Sequence, residues 1–250
     1  MSRTGNPLVR KLQLYVQLSA DDKRAVETMS SARVRTIQAR SDLISEGDRP
    51  NYVNLFLSGW ACRYKVLEDG RRQIISYFLP GDLCDHNIFV LRTMDHSIGT
   101  VTETTIAEID RERLEAITLR HPRVTQALWW ETLVNSAIQR EWAVSLGQRD
   151  AVERIGHLLC ELYMRLESVG LAEKGTCEFP LTQVELAETT GLSAVHVNRS
   201  LQELRAANLI VLKGRVLTIP SLKSLQAASL FNDNYLHLGR EGRQLDSNED

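Results

Sequence analysis

The side chains with the clearest chemical purpose lie in Thr182–Arg205, TQVELAETTGLSAVHVNRSLQELR. His196, Asn198, Arg199 and Gln202 share one face of a helix-forming stretch, with Ser193 on the side of His196 and Val195 next to it. Hydroxyl, imidazole, amide and guanidinium groups at helical spacing can bond phosphate oxygens and base edges, the guanidinium as a two-pronged fork. A little further on, Lys213-Gly214-Arg215 puts two cations on a tight turn, where they suit phosphates. Catalytic patterns are missing. The chain has no phosphate-binding loop, no Gly-x-Ser-x-Gly and no His-Glu-x-x-His, so no enzyme activity is expected.

The elements that position this set can be read locally. Thr182 is suited to cap a helix over 183–190, and Gly191-Leu192-Ser193 breaks it, Gly supplying a left-handed residue and Ser193 the next cap. A second helix follows over 194–206. Leu186 and Ala187 face inward, and Val197 packs back on the first helix. This is a helix-turn-helix pattern, whose second helix suits the major groove of double-stranded DNA. Thr182 and Gln183, at the start of the first helix, join the candidate contacts. Two short strands, 208–212 and 216–219, flank the basic turn and complete a winged helix. Net charge is −2, and residues 150–250 hold 10 Lys+Arg against 14 Asp+Glu. The DNA footprint must therefore be local: the second helix, Lys213 and Arg215, with Arg149 and Arg154 as further candidates.

Upstream, residues 1–30 read as amphipathic helix, and Ser19 is a fair cap for a second short helix. Between 34 and 109, Gly47, Gly59, Gly70 and Gly81 recur 12, 11 and 11 residues apart between short apolar runs. That spacing predicts short antiparallel strands in a β-roll. Pro122 opens a long helix to about Leu146. Trp130, Val134, Ala137, Glu141 and Val144 fall along it at coiled-coil-like spacing, and this seam is expected to join two copies. Trp129, Leu133 and Trp142 add a second apolar face. Asp150-x-x-Glu153 is a capping box that opens the next helix after a hinge at 148–150. The expected organisation is an α+β chain: a sensor β-roll over 1–121, a dimerisation helix over 122–147, a winged helix-turn-helix over 148–222, then a C-terminal helix and tail over 223–250. No apolar run approaches the ~20 residues of a membrane span, and the N-terminus lacks the apolar core of a signal peptide, so a cytoplasmic location is expected. Cys62, Cys84, Cys160 and Cys177 are scattered, with no Cys-x-x-Cys pair; they read as reduced, packed thiols and predict no metal centre.

The order β-roll, long helix, winged helix resembles the Crp/Fnr family of bacterial transcription regulators over residues 10–220. The helix-turn-helix, Asn208-Leu209-Ile210 and the wing carry the likeness, and LGQRDAVERIGHLLCELYMRL is similar to the hinge and first DNA-domain helix of a family subgroup. The resemblance implies a cyclic-nucleotide-binding-like sensor domain and a homodimer on a palindromic operator, with RNA polymerase as a further partner. Two departures matter. The cyclic-AMP receptor grips phosphate with a Gly-Glu pair and an Arg-Ser pair, whereas this chain has Asp85-His86 and His96-Ser97. Asp85, His86, His96 and Ser97 are thus the candidate effector pocket, and an anionic cyclic nucleotide is disfavoured there. The oxygen-sensing branch carries an N-terminal cysteine cluster; here no cysteine precedes Cys62, so no iron–sulfur cluster is expected. In the DNA helix, members reading TGTGA-like sites use an early Arg and Glu and a later Arg. Ala194 and Val195 stand at the early positions and Arg199 matches the later one, which leaves Arg199 for a guanine and Val195 for a thymine methyl. The alternative reading is a small-molecule- or metal-binding sensor whose β-roll ligand is its main activity.

Overall fold

Glycine turns and short apolar runs build two four-stranded antiparallel sheets in the computed structural model, which describes residues 5–31, 33–84 and 93–238. The strands are β1 (Val34–Ile37), β2 (Asp42–Ile44), β3 (Val53–Ser58), β4 (Ala61–Val66), β5 (Arg72–Phe78), β6 (Leu83–Cys84), β7 (Ser97–Thr100) and β8 (Thr104–Ile109). One sheet runs β1-β8-β3-β6 and the other β2-β7-β4-β5. Leu55 lies opposite Ala107 in the first, and Cys62 opposite Gly99 in the second. Phe56 and Phe78 stack at 4.9 Å in the core. At Gly59, φ is +81° and a Cβ would lie 2.3 Å from the Glu103 carbonyl, so only glycine fits the turn.

Short helices precede the roll and pack on it. α1 (Pro7–Leu12) is capped by Asn6, and α2 (Ala20–Ser30) by a Ser19/Asp22 box. The first helix stops at Leu12, well short of the amphipathic stretch read from the sequence. Lys11 of α1 is half-buried and donates to Glu131 at 2.7 Å and to Asp82, so one cation serves two buried carboxylates. Asp110 caps α3 (Arg111–Arg120), and Pro122 opens α4 (Pro122–Gln148), 27 residues long.

The seam on α4 differs from expectation. Val134 and Ala137 are only 5% and 4% exposed in the single chain, Trp130 is half-buried near Tyr15, and Glu141 pairs with Arg149 at 2.6 Å. Those positions face inward, and of the expected seam only Val144 remains exposed. The open apolar side carries Trp129 (68% exposed) and Leu133 (63%), continued by Ser136, Arg140 and Ala143. The helix is apolar on more than one side, so periodicity defined its faces without saying which one the chain itself covers.

After the hinge come α5 (Ala151–Ser168), the hairpin β9 (Ala172–Glu173) and β10 (Thr176–Glu178), α6 (Gln183–Thr190), α7 (Ala194–Ala206), β11 (Val211–Lys213), β12 (Val216–Thr218), α8 (Leu222–Ala228) and a 3-10 turn, Asp233–Leu236. The wing strands join the earlier hairpin in the order β11-β12-β10-β9. Asn208 does not start a strand as expected. It sits at φ +54°, where it ends α7, and the Leu209 N–H donates to the Leu204 carbonyl. The chain forms two compact units. One holds the chain to Lys65, Ser76–Asn135 and the segment from His237; the other holds Val66–Ile75 and Ser136–Leu236. Among the described residues no helix is long and apolar enough to cross a membrane.

Candidate nucleic-acid interface

α6 begins with a complete capping box. The Glu185 N–H donates to Thr182 Oγ1 at 3.2 Å, and the Thr182 N–H to Glu185 Oε2 at 2.7 Å. It ends at Gly191, which takes φ +65° and donates back to the Ala187 carbonyl. Ser193 then caps α7, its Oγ accepting from the His196 N–H at 3.3 Å. Val197, Leu201 and Leu204 are buried and seat α7 against α5 and α6. The opposite face is left to solvent.

That face holds most of the expected set. Val195 is 78% exposed, and His196, Arg199 and Gln202 are also exposed. The His196 ring lies 3.1 Å from Ser193 Oγ. Asn198 is half-buried and donates to Gln183 Oε1 at 3.2 Å, so these two side chains bridge α7 and α6. Arg199 Nε donates to Glu203 Oε1 at 3.0 Å. Nε is thereby engaged; an edge bearing both Nη groups is the part of a guanidinium that can make two parallel bonds to guanine O6 and N7. Thr182 is exposed, but its hydroxyl is spent on the cap.

Lys213 and Arg215 are exposed at the tip of the β11–β12 hairpin, around Gly214 at φ +61°. The Arg215 carbonyl accepts from the Phe179 N–H at 2.8 Å, which ties the tip to the chain leading out of β10. Arg149 and Arg154 are not available to phosphates. Arg154 donates to the carbonyls of Thr190, Leu146 and Arg149, and Arg149 to Glu141 and the Leu230 carbonyl. Both are hinge fasteners instead. Arg205 was missed: it is exposed in the last turn of α7, three residues beyond Gln202, and spacing alone would have placed it on this stripe.

Of the expected effector pocket, Asp85 and His86 lie outside the described residues. His96 is buried. Its Nδ1 is 2.6 Å from Asp95 Oδ1, and its Nε2 accepts from Arg63 Nε at 3.0 Å, which puts the ring proton on Nδ1. The bond from His96 holds the Asp95 carboxyl below its usual range. The Arg63 guanidinium also lies 5.1 Å over the Phe78 ring. Ser97 Oγ accepts from the Glu46 N–H at 2.9 Å. Of the two described members of the expected pocket, Ser97 thus holds the turn after β2, and His96 is held between Asp95 and Arg63 of β4.

Residues 34–121 match the family model of the cyclic nucleotide-binding domain, and residues 153–228 that of the Crp-like helix-turn-helix domain. The transcriptional activator protein FnrL of Cereibacter sphaeroides is 28% identical over 222 residues, covering 86% of each chain. The nitrogen fixation regulation protein FixK of Rhizobium meliloti is 28% identical over 211 residues, 82% of this chain and 90% of that protein. Among solved structures, FixK2 from Bradyrhizobium japonicum shares the fold with a TM-score of 0.70 at 24% identity, over 78% of this chain and 96% of that one.

Proposed function

The chain belongs to the Crp/Fnr family of DNA-binding transcription regulators, and we propose that it acts as a homodimer reading a palindromic operator with one α7 from each copy. The observation that carries this reading is the α7 face. Val195, His196, Arg199 and Gln202 stand in solvent on a helix whose other side is sealed, and the Lys213/Arg215 tip is exposed as well. Arg199 reads a guanine, Val195 meets a thymine methyl, and Lys213 and Arg215 hold phosphates. The exposed Trp129/Leu133 side of α4 supports self-association, and two-fold operators follow from two-fold proteins. The activator name of FnrL supports a contact with RNA polymerase, and a role on DNA favours a cytoplasmic location. The effector in this reading is not a cyclic nucleotide. Support comes from His96, which takes the arginine position and is bonded to an anionic Asp95.

The test begins with selection of genomic fragments by the purified protein without effector. Arg199→Ala should then cost about 1–3 kcal/mol of specific binding and relax preference at one base pair of each half-site. Unchanged base preference would refute the role of Arg199. Lys213→Ala and Arg215→Ala should each lower the salt slope by about 1 and leave the consensus alone.

A further inference from the structure

The C-terminal segment beyond α8 returns to the hinge. Leu230, a non-glycine residue at φ +49°, turns the chain, and the Phe231 N–H closes the bend on the Gln226 carbonyl at 2.9 Å. A left-handed leucine costs about 1 kcal/mol, so the surroundings must hold it. What they hold is an aromatic cluster on α5. The His157 ring packs 4.8 Å from Phe231 and stacks on Tyr235 at 5.8 Å with an interplanar angle of 12°. The Tyr235 hydroxyl donates to Glu161 Oε2 at 3.0 Å. Glu161 has no solvent exposure, and the same oxygen accepts from Trp142 Nε1 of α4 at 2.9 Å. Arg165 donates to its other oxygen at 3.4 Å. One buried carboxylate therefore joins three elements: the last turns of α4, the middle of α5 and the C-terminal turn. A second tie sits at the hinge, where Arg149 Nη2 donates to Glu141 of α4 at 2.6 Å and to the Leu230 carbonyl at 3.2 Å.

We propose that Leu230–Leu236 is an intramolecular clasp that locks the end of α4 to α5 across the hinge, and so fixes how the winged helix is carried on the long helix. The hinge itself is short, with only Arg149 and Asp150 between the two helices. Without the clasp, α4 and α5 would be joined by this link, by the Trp142–Glu161 bond and by the fastening of Arg154 to the Leu146 carbonyl. With it, a rotation at the hinge must also break the Arg149 bridge between Glu141 and the Leu230 carbonyl, because the Tyr235–Glu161 bond and the ring stack hold the clasp on α5. α7 packs on α5, so the recognition helix moves with whatever α5 does. The clasp does not depend on which DNA sequence is read.

Amide hydrogen exchange on the full chain tests it, in Tyr235→Phe and Phe231→Ala. Tyr235→Phe keeps the ring and removes one bond to a buried carboxylate, so it should fold. Amides of residues 148–154 should exchange roughly tenfold faster in Tyr235→Phe and faster still in Phe231→Ala, while α7 and the β-roll strands keep wild-type protection. Wild-type protection at 148–154 in both variants would overturn the clasp. So would an equal loss of protection throughout the C-terminal unit, because the segment would then be ordinary core.

Discussion

His157 is buried between Phe231 and Tyr235, and its Nε2 lies 3.3 Å from Glu141 Oε1 without hydrogen-bond alignment. Burial, and then the nearby Arg149, push its pKa from 6.5 down to about 3. The sign of the linkage follows. Below pH 6.5 the unfolded chain takes up a proton at this histidine, while the folded chain takes none until near pH 3, so acid favours unfolding across that window. The wild-type urea midpoint should therefore fall between about pH 7 and about pH 5. In His157→Phe, which keeps a ring in the cluster, it should fall by less. Equal pH slopes in the two proteins would assign the effect to another group. This histidine gave no signal in the sequence, since a lone His on an apolar helix face looks like any packed residue. Arg199 did, because its neighbours at helical spacing were polar and its opposite face was apolar.

At the scale of elements, the crossing of α8 over α5 explains a glycine in mid-helix. Gly156 costs its helix about 1 kcal/mol against alanine, yet a Cβ there would sit 2.9 Å from Ser229 Cβ. Gly156→Ala should thus destabilise the protein by about 1–3 kcal/mol through overpacking, read by urea unfolding. In a Ser229→Gly background the obstacle is gone, and the same substitution should become neutral or stabilising. A penalty that persists there would mean that Leu225, 3.5 Å away, sets the limit instead. Elements with their own punctuation were legible: the caps at Ser19, Asp150 and Thr182, the glycine break of the helix-turn-helix and the basic wing tip. The two-residue β9 and the four-residue 3-10 turn were not, because neither is long enough to show a period. The turn at Asn208 was read as strand because the apolar run after it masks the left-handed residue that ends α7.

For the whole molecule, the sequence pointed to the Trp130–Val144 seam of α4 as the face for a second copy, and burial in one chain argues against most of that seam. Val134 and Ala137 are closed to any partner, whereas Trp129 and Leu133 stand exposed one turn apart on the other side. Two large apolar side chains in line on a helix form the kind of patch that self-association removes from water. Leu133→Arg should convert the protein, in sedimentation velocity at micromolar concentration, from twice the 28.3 kDa chain mass to the chain mass itself. Because a dimer binds its second half-site intramolecularly, operator affinity should drop with it, by roughly 10²–10⁴-fold, while binding to a single half-site stays as it was. Val134→Ala provides the contrast: it opens a cavity inside the protomer and should lower the urea midpoint without shifting the association constant. A dimeric Leu133→Arg protein would move the interface off this face of α4. A monomeric Val134→Ala protein at full folding would return it to the seam that the heptad spacing first suggested.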